Sequence, residues 1–285
     1  IPLATAGWGA VLPCLLGGIH GLFMNGWDPA AALGMLESRR VSRTFLTPSM
    51  LIDLLDEPGL ESERLPALRA IICGTAALHG QKAAETLRRL GPVLFQGYGL
   101  AEVLPPLTTL GPEEHDPAGH PLRVGRPANG VRVRVVDDSG VEAAAGARGA
   151  VEVASPTQTA GYWRRSDLDA EAFHDGFFRT GDVGFLGPDN YLNVVGRAAD
   201  RLSSGVSPRD VEEAAHRHPA LKECALVEVA GNSVLVCSAR RGRDLDAEEL
   251  RRTLADCPAP DDISILAGDL PRSAAGKVVR RELGR

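Results

Sequence analysis

The sequence predicts an α/β protein whose pattern of helices and strands changes twice along its 285 residues. In the first third, short apolar runs alternate with longer amphipathic runs, which is typical of a mostly parallel sheet covered by helices. From Arg123 onward, hydrophobic residues recur with a period of two between frequent turns, which predicts a small antiparallel barrel. Beyond Asp200 both patterns mix. We therefore expect an α/β part, a small β-barrel and a C-terminal α+β domain, in that order.

Two helices of the α/β part have clear end signals. Trp8–Ile19 is apolar and ends in glycines, which indicates a buried helix. Asp28 is suited to capping the next helix, because its carboxylate accepts from the first-turn N–H groups, and Pro29 fits the first helical position. The pattern predicts helices at 8–19, 29–40, 48–55 and 79–90 and strands at 22–24, 41–46, 68–73 and 93–95.

The remaining elements are read from strand alternation and turn residues. Val131–Val136 alternates and is followed by Asp137-Asp138-Ser139-Gly140, a turn signal. Ala230-Gly231 marks a short connection between two later strands. Further strands are predicted at 150–153, 191–195, 224–229 and 233–238, and helices at 208–218 and 246–256.

Composition excludes several classes of function. The net charge of -6 and the pI near 5.7 argue against a binder of nucleic acid or of an anionic membrane surface. The longest apolar run, residues 11–19, is too short and too broken to cross a bilayer. The five cysteines form no CxxC pair and sit mostly in apolar runs, which favours a reducing cytoplasm. Small-molecule chemistry is the class that remains.

A nucleoside-binding pattern lies around Asp182. Phe177-Phe178-Arg179 is predicted to end a strand and Thr180-Gly181 to form a tight turn, so that Asp182 faces a ligand. A carboxylate offers two acceptor oxygens to the two hydroxyls of a ribose, and Arg197 offers a planar donor fork to the same nucleotide. The alternative is a β-turn aspartate and an arginine in a surface ion pair.

Two pairs of histidines give a weaker indication of a metal site. His216 with His218, and His115 with His120, have the spacing of metal ligands, but neither pair has cysteines or carboxylates at ligand spacing. We therefore expect surface histidines at these positions.

Five motifs, in one order along nearly the whole chain, resemble those of the adenylate-forming (AMP-binding) superfamily. This superfamily includes acyl-CoA synthetases, firefly luciferases and peptide-synthetase adenylation domains, and the chain looks most like the aryl or fatty acid CoA ligases. The motifs are Gln96-Gly97-Tyr98-Gly99-Leu100-Ala101-Glu102, Gly149 through Gly161-Tyr162-Trp163, Arg179-Thr180-Gly181-Asp182, Gly196-Arg197-Ala198-Ala199-Asp200 and Leu270 through Gly276-Lys277.

The resemblance implies three domains and an activity. Residues 1–110 would be the α/β subdomain of a large adenylation domain, 111–196 its small β-barrel, and 197–285 a mobile C-terminal domain. The implied reaction is ATP-dependent activation of a carboxylic acid as acyl-AMP, with Mg²⁺, followed by transfer to CoA. The implied partners are small molecules, without nucleic acid or membrane.

The resemblance also assigns residues. Lys277 is the expected catalytic cation, because carboxylate attack on the α-phosphate brings two anions together. Its alternative is one charge on a basic tail. Glu102 resembles a catalytic magnesium ligand, since hard cations prefer carboxylate oxygen. The expected nucleotide-binding residues are Gly74, Thr75 and Ala76, a small-residue loop; Gln96, Gly97, Tyr98 and Gly99, with Tyr98 stacking on adenine; and Asp182 and Arg197.

Departures from the family leave alternatives open. The upstream phosphate-binding loop is absent from this sequence, so we expect a missing N-terminal half of the same protein and an inactive fragment. Ala101 replaces a threonine, Ala199 stands at the hinge, and the loop from Ser203 to Ser207 looks short. One alternative is an adenylating amide-bond-forming enzyme, which would use an amine acceptor. Another is a non-catalytic relative that binds nucleotide or acyl ligand as a partner subunit.

Overall fold

The computed structural model describes residues 11–12, 14–116, 118–273 and 277–284, which belong to two compact units. The first unit contains Ile1–Phe23, Phe95–His115 and Leu122–Ala199, and the second contains Met24–Leu94, Asp116–Pro121 and Asp200–Arg285. Each unit is described by itself below. The three domains expected from the sequence stay a prediction.

The second unit begins with alternating helices and strands. Asp28 caps the first helix as expected, with its Oδ1 accepting from Ala31 N at 2.8 Å. The two strands are parallel, with Arg43 opposite Ala70. Leucines of the helices and of the strands pack together in one core, which includes Leu51, Leu54 and Leu94. The elements are α1 Pro29–Ser38, β1 Arg43–Leu46, α2 Pro48–Leu55, β2 Ala70–Cys73 and α3 Gly80–Leu90.

The strands of the first unit are numbered β3 to β10, with the residue ranges given at the end of this paragraph. They form an antiparallel run in the order β3-β4-β5-β10-β9-β7-β6, and β8 pairs with β9. Its core is formed by side chains such as Val151, Phe178 and Leu192. The Asp137 turn is confirmed, since Asp137 Oδ1 accepts from Ser139 N at 2.9 Å. The elements are β3 Leu94–Tyr98, β4 Thr108–Leu110, β5 Arg123–Pro127, β6 Arg132–Val136, β7 Gly149–Ala154, α4 Ser166–Ala172, β8 Phe173–His174, β9 Phe177–Leu186 and β10 Leu192–Arg197.

The C-terminal part of the second unit is a three-stranded sheet packed with helices. β11 and β12 are antiparallel, and β12 and β13 are parallel. Ala230 and Gly231 both have positive φ (50° and 85°), the conformation of a two-residue hairpin turn, which confirms the short connection. The elements are α5 Pro208–Ala215, β11 Leu221–Val229, β12 Asn232–Ala239, α6 Ala247–Thr253, β13 Asp262–Leu266 and α7 Arg280–Leu283.

Several predicted elements are corrected. Residues 22–24 form no strand, and the helix predicted to reach His218 ends at Ala215. The helix predicted at 246–256 covers only Ala247–Thr253, because Asp246 serves as its N-cap. Of the helix predicted at 8–19, residues 8–10 and 13 lie outside the described residues, and 11–12 and 14–17 are helical. The prediction that this helix is buried was wrong, because Leu15 and Leu16 are 70% and 79% exposed. Within the described residues, no helix combines the length and apolar character needed to span a membrane.

Candidate functional site

The strand that carries Asp182 is distorted by a bulge. Against β7, Val183 of β9 lies opposite Ala150 and Arg179 lies opposite Glu152, so β9 has extra residues between these two pairs. Gly181 lies in this interval with φ of 74°, a conformation that favours glycine. The tight turn predicted at Thr180-Gly181 was therefore wrong, because the chain continues as one strand through a bulge. Bulges of this kind re-aim side chains next to functional sites.

Three side chains meet at this bulge. Asp182 and Arg197 are opposite each other on β9 and β10, and Arg197 Nε lies 3.0 Å from Asp182 Oδ1. The hydroxyl of Tyr98, at the end of β3, donates to Asp182 Oδ2 at 2.5 Å. Thr180 fixes the bulge, since its Oγ1 accepts from Asp182 N at 3.0 Å and donates to Val151 O at 2.8 Å. The structure thus brings together three predicted site residues from three strands.

The electrostatics of the cluster keep the Tyr98 phenol protonated. Burial, and after it the Asp182 carboxylate, raises the pKa of the Tyr98 phenol well above its usual value, so the hydroxyl remains a donor. Asp182 is only 5% exposed, whereas the Arg197 side chain is 45% exposed. Arg197 Nη1 also donates to Thr180 O at 2.8 Å. A carboxylate oxygen can accept more than one hydrogen bond, which makes aspartate a suitable ligand for vicinal hydroxyls.

The glycines around Tyr98 permit a close turn. A Cβ on Gly99 would collide with the Cα and Cβ of Pro105, so only glycine fits there. Gly97 is less restricted, with Pro106 Cβ at an ordinary contact of 3.8 Å. Gln96 is 9% exposed and lies opposite Leu110 in the sheet. Gln96, Gly97 and Gly99 therefore shape the strand that presents Tyr98.

Glu102 lies in a short 3₁₀ turn after β3 and is held by a tyrosine. Tyr162 Oη donates to Glu102 Oε1 at 2.9 Å, and Thr159 N donates to the Glu102 backbone oxygen at 2.7 Å. Burial, and then the Glu102 carboxylate, raises the pKa of Tyr162. Among the described residues Glu102 Oε2 has no hydrogen-bond partner. A single half-buried carboxylate with one open oxygen suits a hard cation that keeps its waters and also binds phosphate.

The Gly74-Thr75-Ala76 loop belongs to the second unit and follows β2 directly. Thr75 has φ of 78°, an unusual conformation for a residue with a branched Cβ. Its Oγ1 is buried and has no hydrogen-bond partner in the part of the chain that the structure describes. Strained backbone and unsatisfied polar atoms concentrate at ligand sites, which fits a small-residue loop beside a ligand.

Lys277 also lies in the second unit, on a short hairpin near the C-terminus. Arg272 and Val278 form an antiparallel bridge, and Lys277 O accepts from Ser273 N at 2.8 Å. The motif residues 274–276 lie outside the described residues. The Lys277 side chain is exposed, and its ammonium group makes no hydrogen bond or ion pair with any described residue. A long cation in this setting is available to a ligand.

The prediction of surface histidines was wrong for one pair. His216 is 2% exposed and His218 is 8% exposed, because both follow α5 into the core of the second unit. The His216 ring stacks on His79 with centroids 3.6 Å apart. His120 is half exposed, as expected. Within the ranges that the structure describes, no group of three or more histidine, cysteine or acidic residues is arranged to hold a metal ion.

Two contacts of the site were not anticipated from the sequence. Tyr98 was expected to offer a ring face, yet its hydroxyl also orients Asp182. Tyr162 was part of a motif without a stated role, yet it holds Glu102. The partners in each contact are too far apart in the sequence for any spacing to predict the contact. The one indication in the sequence was that each contact involves a tyrosine of a family motif.

Comparisons with known proteins agree on one family. The family model described as AMP-binding enzyme matches residues 3–163. A medium/long-chain fatty-acid–CoA ligase of Mycobacterium tuberculosis is 32% identical over an alignment of 258 residues that covers 87% of this chain and 45% of that protein. A feruloyl-CoA synthase of an Amycolatopsis species is 31% identical over an alignment of 288 residues that covers 96% of this chain and 57% of that protein.

A solved structure gives the same result for the fold. The amide bond synthetase McbA from Marinactinospora thermotolerans superposes with a TM-score of 0.83 at 31% identity, covering 91% of this chain and 56% of that one. The chain therefore spans about half the length of the relatives that it matches.

Proposed function

Because this chain belongs to the AMP-binding enzyme family, we propose that the full-length protein activates a carboxylic acid with ATP and transfers the acyl group to CoA. The acid's carboxylate oxygen attacks the α-phosphorus of ATP, the bond to pyrophosphate breaks, and acyl-AMP forms. The thiol of CoA then attacks the acyl carbon, AMP leaves, and the thiol proton passes to solvent. The observation that carries this proposal is the cluster of Tyr98, Asp182 and Arg197.

The cluster matches the chemistry of a nucleoside. The Asp182 carboxylate would accept hydrogen bonds from the ribose hydroxyls, since its oxygens are held in place by Tyr98 and Arg197. The exposed part of the Arg197 guanidinium would donate to the same nucleotide. Tyr98 would pack its ring against the base. We also assign Gly74, Thr75 and Ala76, on a loop of the second unit, as nucleotide-binding residues.

Lys277 and Glu102 would serve the phosphates. The exposed Lys277 ammonium would stabilise the negative charge that grows between carboxylate and α-phosphate. Glu102 Oε2 would bind Mg²⁺, which neutralises phosphate charge when bound. Tyr162 would keep Glu102 Oε1 in place during this step.

The substrate class follows from the relatives' names. The Mycobacterium relative is named for medium- and long-chain fatty acids and the Amycolatopsis relative for ferulate, so aliphatic and aryl acids are the classes to test. A second candidate acceptor is an amine, because McbA is an amide bond synthetase of comparable similarity. The third alternative, a non-catalytic subunit, would bind nucleotide without turnover.

Further expectations accompany the proposal. We place domain limits at 1–110, 111–196 and 197–285, with the last domain moving between the two half-reactions. We also place the reaction in the cytoplasm. Cys73, Cys224 and Cys237 are buried thiols, and none of the five cysteines, all within the described part of the chain, forms a disulfide. Reduced, buried thiols suit a reducing compartment.

The proposal is tested by pyrophosphate release. The full-length protein is incubated with ATP, Mg²⁺ and each member of a panel of fatty, benzoic and cinnamic acids, with and without CoA. We expect acid-dependent pyrophosphate release for one class and thioester in the presence of CoA. Nucleotide binding without release for any acid would overturn the enzymatic proposal in favour of the non-catalytic alternative.

A further inference from the structure

The hairpin that carries Lys277 is anchored by an arginine three residues later. Arg280 begins α7, and its guanidinium contacts three separate parts of the second unit. Its Nη2 lies 2.7 Å from Glu212 Oε1 on α5, and its Nη1 donates to Leu226 O on β11 at 2.9 Å. Its Nε lies 3.4 Å from Asp200 Oδ2. All three guanidinium nitrogens are thus used to fasten one short segment.

The acceptor of this anchor is itself fixed. Glu212 is 4% exposed, and its Oε1 also accepts from Leu226 N at 2.9 Å. The carboxylate therefore joins α5 to β11, and Arg280 attaches α7 to the same point. A buried carboxylate requires a partner, since an unpaired buried charge is strongly unfavourable. The Arg280 guanidinium supplies this partner.

The hairpin connects this anchor directly to Lys277. Val279 N donates to Pro271 O at 2.8 Å, and Arg272 and Val278 form an isolated bridge, so the segment from 277 to 279 is hydrogen-bonded to the segment from 271 to 273. At the other end of the hairpin, Leu270 is 2% exposed and Arg272 forms an ion pair with Glu223. Lys277 is thus an exposed side chain on a backbone held at both ends.

We propose that Arg280 is a positioning residue for Lys277: by fastening α7 to Glu212, Leu226 and Asp200, it fixes where the Lys277 ammonium is presented. This inference rests on the proposed function, in which Lys277 stabilises carboxylate attack on the α-phosphate. Misplacement of a catalytic group by about 1 Å reduces a rate by on the order of 10²-fold. Loss of the anchor should therefore reduce the step that uses Lys277.

Measuring the two half-reactions separately distinguishes a positioning role of Arg280 from a purely structural one. Lys277 acts when acyl-AMP forms, whereas transfer from preformed acyl-AMP to CoA requires no attack on phosphorus. A variant that only weakens the fold slows both halves. A variant that only misplaces Lys277 slows the first half alone. Synthetic acyl-AMP supplied with CoA measures the second half independently.

The test compares Arg280→Gln with Arg281→Gln, a matched control one residue later whose side chain is exposed and makes no ion pair with a described residue. We expect Arg280→Gln to reduce acid-dependent pyrophosphate release by roughly 10- to 100-fold while transfer from synthetic acyl-AMP changes less than about threefold. Arg280→Lys, which keeps the charge but loses the planar fork, should give an intermediate rate. Arg281→Gln should match the unsubstituted protein in both halves.

A second variant covers the case in which Arg280→Gln unfolds because Glu212 is left unpaired. The double variant Glu212→Gln/Arg280→Gln leaves no unpaired buried charge, and the same split between half-reactions is expected of it. Equal loss of both half-reactions in a folded variant, or an unchanged rate of adenylation, would overturn the inference. If Lys277→Ala adenylates normally, the proposed role of Lys277 fails first, which distinguishes that failure from failure of the Arg280 anchor.

Discussion

Asp182 and Arg197 are opposite partners on neighbouring antiparallel strands, and the Arg197 Nε lies 3.0 Å from the Asp182 Oδ1. The register between these strands shifts at Val194–Gly196, just before the pair. The Asp182 side chain is 7% exposed and that of Arg197 is 45% exposed, so a buried anion is covered by a partly solvated cation. A ligand that reaches Asp182 therefore also meets Arg197, which is why we propose this pair as the nucleoside site.

Replacing Asp182 is expected to weaken ATP binding while the fold is retained. Asp182→Asn keeps the shape but removes the charge, and Asp182→Ala removes both acceptor oxygens. Since hydrogen bonds to charged groups contribute about 1.5–3 kcal/mol, we expect the Kd for ATP to rise by roughly 10- to 100-fold. Calorimetric titration with ATP measures this change.

The control is Asp189→Asn, a half-exposed aspartate that pairs with Arg123 at 2.7 Å. It should leave the affinity for ATP unchanged. If Asp182→Ala instead melts far below the unsubstituted protein and still binds ATP normally, Asp182 is a structural residue and the nucleoside assignment is wrong.

Lys277→Ala is expected to suppress acyl-adenylate formation by a factor on the order of 10² or more, the usual effect of losing a charge-stabilising donor. Nucleotide affinity should fall much less, because the proposed site assigns the nucleoside to Asp182 and Arg197. Pyrophosphate release and ATP titration on the same sample separate the two effects. Near-normal adenylation by the variant would remove Lys277 from the mechanism.

Acid is expected to destabilise the second unit through the stacked histidines. Burial, and then Arg209, holds the pKa of His79 well below 6.5, and burial followed by His79 does the same for His216. The unfolded chain therefore binds more protons below about pH 6.5. Stability should fall as the pH drops from 6.5 toward the folded-state pKa, by at most about 1.4 kcal/mol per pH unit for each histidine.

Thermal unfolding between pH 7 and pH 5 measures this effect. His216→Phe keeps a stacking ring but removes one titrating group, so its Tm should depend less on pH. The matched control is His120→Phe, because the His120 side chain is half exposed and pairs with Asp116 alone among the residues that the structure describes. Equal pH slopes for all three proteins would show that the stacked histidines do not control acid stability.

Transfer to CoA is expected to be the weaker half of the chemistry. The loop from Ser203 to Ser207, which looks short beside the family's, is fastened by Glu228, which accepts from Ser203 N at 2.7 Å and from Ser203 Oγ at 2.9 Å. A short, fixed loop where the pantetheine arm should run aims the thiol less well at the acyl carbon. Acyl-AMP should then accumulate or react with amines.

Mass spectrometry of products formed with ATP, the preferred acid, and either CoA or a simple amine tests this expectation. Adenylate and amide should be detected beside the thioester. Rapid, stoichiometric thioester formation that leaves no adenylate would place the protein among ordinary acyl-CoA ligases.

The fold class and the motif residues could be read from the sequence because both depend on local pattern. Asp28 caps its helix as its carboxylate and the following proline predict, and the Ala230-Gly231 turn follows from short strands on either side. The bulge at Gly181 could not be read, because a glycine with positive φ serves a turn and a bulge equally well. The pairing of β9 with β7 decides between them.

The burial of polar residues was the second feature that could not be predicted from the sequence. From the sequence, His216 was expected at the surface because its neighbours Glu213 and Arg217 are of residue types that are mostly exposed. Its burial results from stacking on His79, which lies far away in the sequence. The Tyr98–Asp182 hydrogen bond likewise depends on sheet order, which sets which strand ends meet.

The central claim is that a carboxylate attacks the α-phosphorus of ATP, and isotope transfer tests it most directly. The preferred acid, labelled with ¹⁸O in its carboxylate, is incubated with the full-length protein, ATP and CoA, and the AMP is analysed by mass spectrometry. The account predicts that each AMP carries one ¹⁸O atom from the acid. Unlabelled AMP, or acyl product formed without AMP, would contradict it.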